Sequence, residues 1–160
     1  MHKILPIFIL IVLTFGNAKI FAQDAQNVET PNAKASGKQP SAAAAKRFIG
    51  YWMGVDPLDG GDSRRGITRN SDGTFSVVGR DTVFTLCDNT DRAILLVSDA
   101  VIVNSELSSN DLEIKCFNTG STVHLKVRYE VIDTNIVLET TTQQNGTPVD
   151  QIIFHRVSQR

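Results

Sequence analysis

The chain has 160 residues, 41% of them apolar and 21% charged, enough for one globular domain with a short appendage and too few for a large multi-domain enzyme. Lys and Arg number 16 against 17 Asp and Glu, a formal net charge of −1 that supplies no basic field for nucleic acid or for an anionic bilayer.

The first residues read as an address. Met1, His2 and Lys3 make a short positive start, and an apolar run over 4–15 follows, broken only by Pro6 and Thr14, which is the pattern of a signal peptide. The run falls short of the roughly 20 residues that cross a bilayer, and no later run reaches that length, so no membrane span is expected. The favoured cut lies after Ala22, giving a signal peptide over 1–22. Ala18 is the alternative, because Ile20 is larger than the residue usual two positions before a cut. With no cysteine nearby to carry a lipid, the mature chain is expected to be soluble, periplasmic or extracellular, with 14 basic and 17 acidic residues and a net charge of −3.

Residues 23–46 are mostly Ala, Gln, Asn, Lys, Pro and Ser, with Val28 the only large apolar side chain before the alanines. Such a stretch buries too little surface to offset its ordering entropy and reads as a flexible tether. A short helix is expected at its end over 41–46, with Ser41 capping the run of alanines, and the folded domain over 47–160.

From residue 48 onward the pattern is β throughout. Runs rich in Val, Ile, Thr, Phe and Tyr fall at 48–55, 64–70, 74–80, 82–87, 93–103, 112–117, 122–133, 135–144 and 148–158, with no amphipathic helix between them. Gly73, after Ser71 and Asp72, and Gly146, after Asn145, stand where a hairpin needs positive φ, and Asn135 would do the same after Asp133 and Thr134. Consecutive strands should pair antiparallel. In 122–133 the alternation puts Val123, Leu125, Val127, Tyr129 and Val131 on a buried face and His124, Lys126, Arg128 and Glu130 on a wet one. In the last run Arg156 shares its face with Ile152 and Phe154, so its guanidinium needs a partner there. Trp52, the only tryptophan, sits in the first strand, and closing a barrel brings first and last strands together.

Gly50-Tyr51-Trp52 in the first strand, Arg156 in the last, and a meander of about eight strands between them resemble the calycin superfamily, the group of lipocalins and their fatty-acid-binding and avidin-like relatives. The resemblance spans 47–158 and implies an antiparallel up-and-down, lipocalin-like β-barrel in which Trp52 closes the base and Arg156 packs across it. It departs from typical lipocalins in having no helix after the last strands, and a single Trp departs from the several that line an avidin biotin pocket.

An oxidising compartment favours a disulfide between Cys87 and Cys116 over two buried free thiols. The segment from Asp56 to Ser63 joins the first two strands, over the mouth in a lipocalin-like barrel. It reads as a solvated turn, as a lid hinged at Gly60 and Gly61, or as a calcium loop using Asp56, Asp59 and Asp62. Arg64 and Arg65 next to it would neutralise the acids. Otherwise the cysteines and histidines lack metal-ligand spacing, and no cofactor is expected. No nucleophile elbow, zinc motif or phosphate loop occurs. His124 and His155 read as surface residues, Asp81, Asp88 and Asp91 as aspartates at strand ends bonding their own turns, and Asn145 as a glycosylation acceptor or simply a hairpin turn. The chain is expected not to be an enzyme.

Two functional readings stand. In the first, the barrel interior, lined by Phe75, Phe84, Leu125, Tyr129 and Phe154, takes a small apolar or amphipathic molecule. In the second, the same side chains fill the barrel, which serves as a scaffold for contacts with another protein.

Overall fold

The computed structural model describes residues 41–87 and 92–157. The expected signal peptide and most of the expected tether lie outside the described residues, as do Asp88 and Asp91. Among the described residues the chain forms a closed barrel of eight antiparallel strands in sequential order: β1 (Gly50–Val55), β2 (Asp62–Arg69), β3 (Phe75–Asp81), β4 (Ala93–Val103), β5 (Glu106–Cys116), β6 (Thr122–Asp133), β7 (Ile136–Thr142) and β8 (Pro148–Val157). β8 returns beside β1, from Tyr51 opposite Val157 to Gly54 opposite Phe154, so every strand has two neighbours and no open edge is left. Helix α1 (Ala42–Lys46) precedes the barrel, and its cap is the expected one, the Ser41 hydroxyl accepting from the Ala44 amide at 3.2 Å.

The strand residues follow the period of two. Along β6, Leu125, Val127 and Tyr129 point inward and are buried while His124, Arg128 and Glu130 face solvent. Gly73 and Gly146 take the positive φ their hairpins require, +92° and +90°.

Three local expectations are corrected. Residues 82–87 form no strand, despite Val83 and Phe84. After β3 the chain turns Phe84 inward, where it is 5% exposed, and a single 3-10 turn (Thr85–Cys87) brings Cys87 to its disulfide with Cys116 at the end of β5. Long-range burial outweighs local β propensity here. β5 starts at Glu106 and not at residue 112, because a tight turn through Asn104 and Ser105, at φ +50° and +71°, feeds a polar half-strand. Asn135 does not take positive φ. The Asp133 carboxylate instead accepts from the Thr134 amide at 2.6 Å and shapes that turn.

The connectivity gives the barrel two ends. β1 leaves the base, where Ala45, Phe48 and Trp52 are buried together, and ends at a mouth bordered by loops 56–61, 117–121 and 143–147 and by the turn after β3. The disulfide lies at the mouth. No helix of the described residues is long and apolar enough to cross a membrane.

Candidate functional site at the barrel mouth

The base is sealed. The Arg156 guanidinium stands 4.1 Å from the Trp52 ring and donates to the backbone carbonyls of Ile49 and Arg47, the latter at 2.7 Å. The Trp52 indole N–H donates to the Phe48 carbonyl at 2.8 Å. Gly50 explains the first residue of Gly50-Tyr51-Trp52: its φ is +139°, and a Cβ there would lie 2.7 Å from an Arg156 nitrogen. The partner that Arg156 needs by its phase is therefore Trp52 and two carbonyls.

The middle of the lumen is filled as well. Phe75, Leu125, Tyr129 and Phe154, four of the five residues expected to line a ligand cavity, are no more than 2% exposed and belong to the core. Between them runs an ion cluster that sequence reasoning missed. Arg65 on β2 donates from Nε and Nη2 to the Glu139 carboxylate on β7 at 2.7 and 2.8 Å, and from Nη1 to Asp81 on β3 at 2.6 Å. Its carbon Cζ lies 4.9 Å from the centre of the Phe154 ring. Gly79, opposite Arg65 in the ladder, makes room, since a Cβ there would stand 2.8 Å from Arg65 Cδ. Burial works against the guanidinium charge, but Glu139 and Asp81 more than offset it and hold its pKa above the usual value. Burial raises the Asp81 carboxyl, with Arg65 pulling it back, and burial together with the charge of Glu139 raises the Tyr129 hydroxyl. Arg65 could have been found by the reasoning that flagged Arg156, because it alternates with Ile67 on the inner face of β2.

The mouth differs. A pocket of about 200 Å³ opens there between the end of β1, the turn after β3 and the start of β8. Its polar wall includes Asp56 and Asp150, with Thr85 and Gln143, and Leu58, Phe84, Leu86 and Val149 supply an apolar rim. Asp56 is 4% exposed, and one of its carboxylate oxygens accepts from the Leu58 amide at 2.7 Å. Burial and the neighbouring charge of Asp56 push the Asp150 carboxyl up to about 7. Across the ladder from Asp150 stands Thr141, 3% exposed, whose hydroxyl has no hydrogen-bond partner among the described residues. Among the described residues no Lys, Arg or His forms an ion pair with Asp56 or Asp150, and Arg65, on the inner face of β2, is committed to Glu139 and Asp81. Of the five residues expected to bind ligand, Phe84 alone lines this pocket.

The remaining expectations place simply. The loop carboxylates of Asp56 and Asp59 accept from the amides two residues on, Leu58 and Gly61, both at 2.7 Å, so they shape the turn instead of converging. Among the described residues no group of His, Cys, Asp or Glu is arranged to hold a metal ion, Asp62 included. His124 is exposed and pairs with Asp111 at 2.7 Å, and His155 is exposed on the outer face of β8. Asp81 does not bond its own turn but anchors Arg65. No protein-family model matches the chain, and comparison with curated proteins gives no significant match.

Proposed function

We propose that this protein is an exported, non-catalytic, lipocalin-like barrel that binds a small amphipathic cation at its mouth. The observation that carries the reading is the carboxylate pair Asp56 and Asp150, set beneath an apolar rim without a cationic partner among the described residues. Burial and the charge of Asp56 raise the cost of ionising the half-buried Asp150, and a ligand ammonium beside the pair removes that cost. Leu58, at 65% exposure, and Leu86, at 40%, leave apolar surface at the rim for the body of the ligand to cover. Export is supported by the apolar N-terminal run and by the disulfide. The lumen serves as scaffold: a core crossed by Arg65 leaves the Phe75, Leu125, Tyr129 and Phe154 side chains no ligand to contact.

Calorimetric titration of the mature protein with benzylamine, benzyl alcohol and benzoate at pH 8 tests the reading. Benzylamine should bind, the alcohol weakly and the benzoate not at all, and Asp150→Asn should cost the amine at least tenfold in affinity without affecting the alcohol. Equal binding of all three, or amine binding untouched by the substitution, overturns it.

A further inference from the structure

A second surface lies on the outside of the barrel wall, away from the mouth. The outward residues of five neighbouring strands form two rows in register. One row is apolar, running Val157, Tyr51, Gly66, Val78 and Leu96 across β8, β1, β2, β3 and β4. The next row runs His155, Met53, Arg64, Arg80 and Ile94. Tyr51, at 56% exposure, and Val78, at 57%, flank Gly66, and with Met53 they line an open groove of about 1080 Å³.

Arg64 and Arg80 stand directly opposite each other on neighbouring strands, and neither has a carboxylate within ion-pair distance among the described residues. Directly opposed like charges destabilise a sheet, so the pair is held where an anion would relieve it. Among the described residues the groove is lined by no Asp or Glu. Tyr, Met and Arg are the residue types enriched at the centre of protein interfaces.

We propose that this face docks an acidic amphipathic segment of a partner protein, its apolar side chains on Tyr51 and Val78 and its carboxylates on Arg64 and Arg80. A one-sided groove on a convex wall cannot bury most of a small molecule, as ligand sites do, whereas a peptide helix covers it with one face. Because the barrel is closed, the segment is held through side chains and not by strand addition. The inference is independent of the mouth site.

The test uses the whole mature protein and three probes: an 18-residue Leu/Glu amphipathic peptide, the same peptide with Lys for Glu, and phosphatidylglycerol vesicles. The Leu/Glu peptide should bind and shift the NMR signals of Tyr51, Met53 and Val78. The double variant Arg64→Glu with Arg80→Glu should lose that binding at least tenfold and gain the Leu/Lys peptide. Unchanged Trp52 fluorescence and thermal midpoint would show that the variant is folded, and Tyr51→Ser, an exposed change, gives a second variant that should also weaken binding. Equal binding of both peptides to the native protein, or Leu/Glu binding insensitive to all three substitutions, overturns the proposal. So does arginine-dependent binding to the vesicles with none to the peptide, which would make the face a lipid surface site.

Discussion

Arg65 and Glu139, 74 residues apart in the chain, meet inside the barrel in a two-pronged ion pair at 2.7 and 2.8 Å. This contact links β2 to β7 through the lumen and places charge where a carrier of apolar cargo would keep open space. It divides the interior into a filled body and a mouth, and the mouth combines a pocket with carboxylates that no cation among the described residues pairs.

Removing one member of a buried ion cluster leaves the others uncompensated, which typically costs about 3–5 kcal/mol. Arg65→Leu, which strands both Asp81 and Glu139, should therefore lower the thermal midpoint far more than Glu139→Gln, which leaves Arg65 paired with Asp81. Scanning calorimetry of the two variants checks the order.

Arg156→Ala removes a cation–π contact worth about 0.5–2 kcal/mol and leaves the carbonyls of Arg47 and Ile49 without their donor. The thermal midpoint should fall and Trp52 fluorescence should change. Gly50→Ala should do the same by a different route, since its φ of +139° strains any residue with a side chain and a methyl group there would push the Arg156 guanidinium, 2.7 Å away, off its carbonyls.

The Asp150 carboxyl holds its proton up to about 7 in the folded chain, against an ordinary value of 3.8. Between those values the folded state binds more protons than the unfolded one, so this group's contribution to stability declines as pH rises from about 4 to about 7. Asp150→Asn should accordingly stabilise the protein above pH 7 and make no difference below pH 4, as read from urea unfolding at both pH values. Ligand affinity should run the opposite way, rising through pH 7 as the carboxyl ionises.

Cys87 and Cys116 close a loop with a sequence separation of 29, which by chain entropy stabilises the fold by about 3–4 kcal/mol. Replacing both by Ser should lower stability by an amount of that order. Because the bridge anchors the turn that carries Phe84 and Leu86, amide exchange should quicken over Thr85–Cys87 more than in β6 or β7.

The barrel was legible because its signals are local: alternation along 122–133, glycines at the hairpins, and the phase of Arg156 against Ile152 and Phe154. The turn after β3 was not, because Val83 and Phe84 carry the composition of a strand while their burial and the disulfide act over long range. The start of β5 was hidden by its polar residues, Ser108, Ser109 and Asn110, which face outward or flank a shift of register. At the site, Asp56 and Phe84 were both noticed, one as a calcium ligand and the other as cavity lining. What joins them is Asp150, 94 residues after Asp56, and only closure of β8 onto β1 brings those ends together.

Carbon-13 NMR of the aspartate carboxyls, titrated with and without saturating benzylamine, tests the mouth site most directly. Asp150 should titrate near 7 in the free protein and well below that with the amine bound, because a cation that prefers the ionised pair must lower its proton affinity by linkage. An Asp150 titration that the amine leaves unmoved, with the shifts falling on Phe75, Leu125 or Phe154 instead, would contradict binding at the mouth and return the ligand to the lumen.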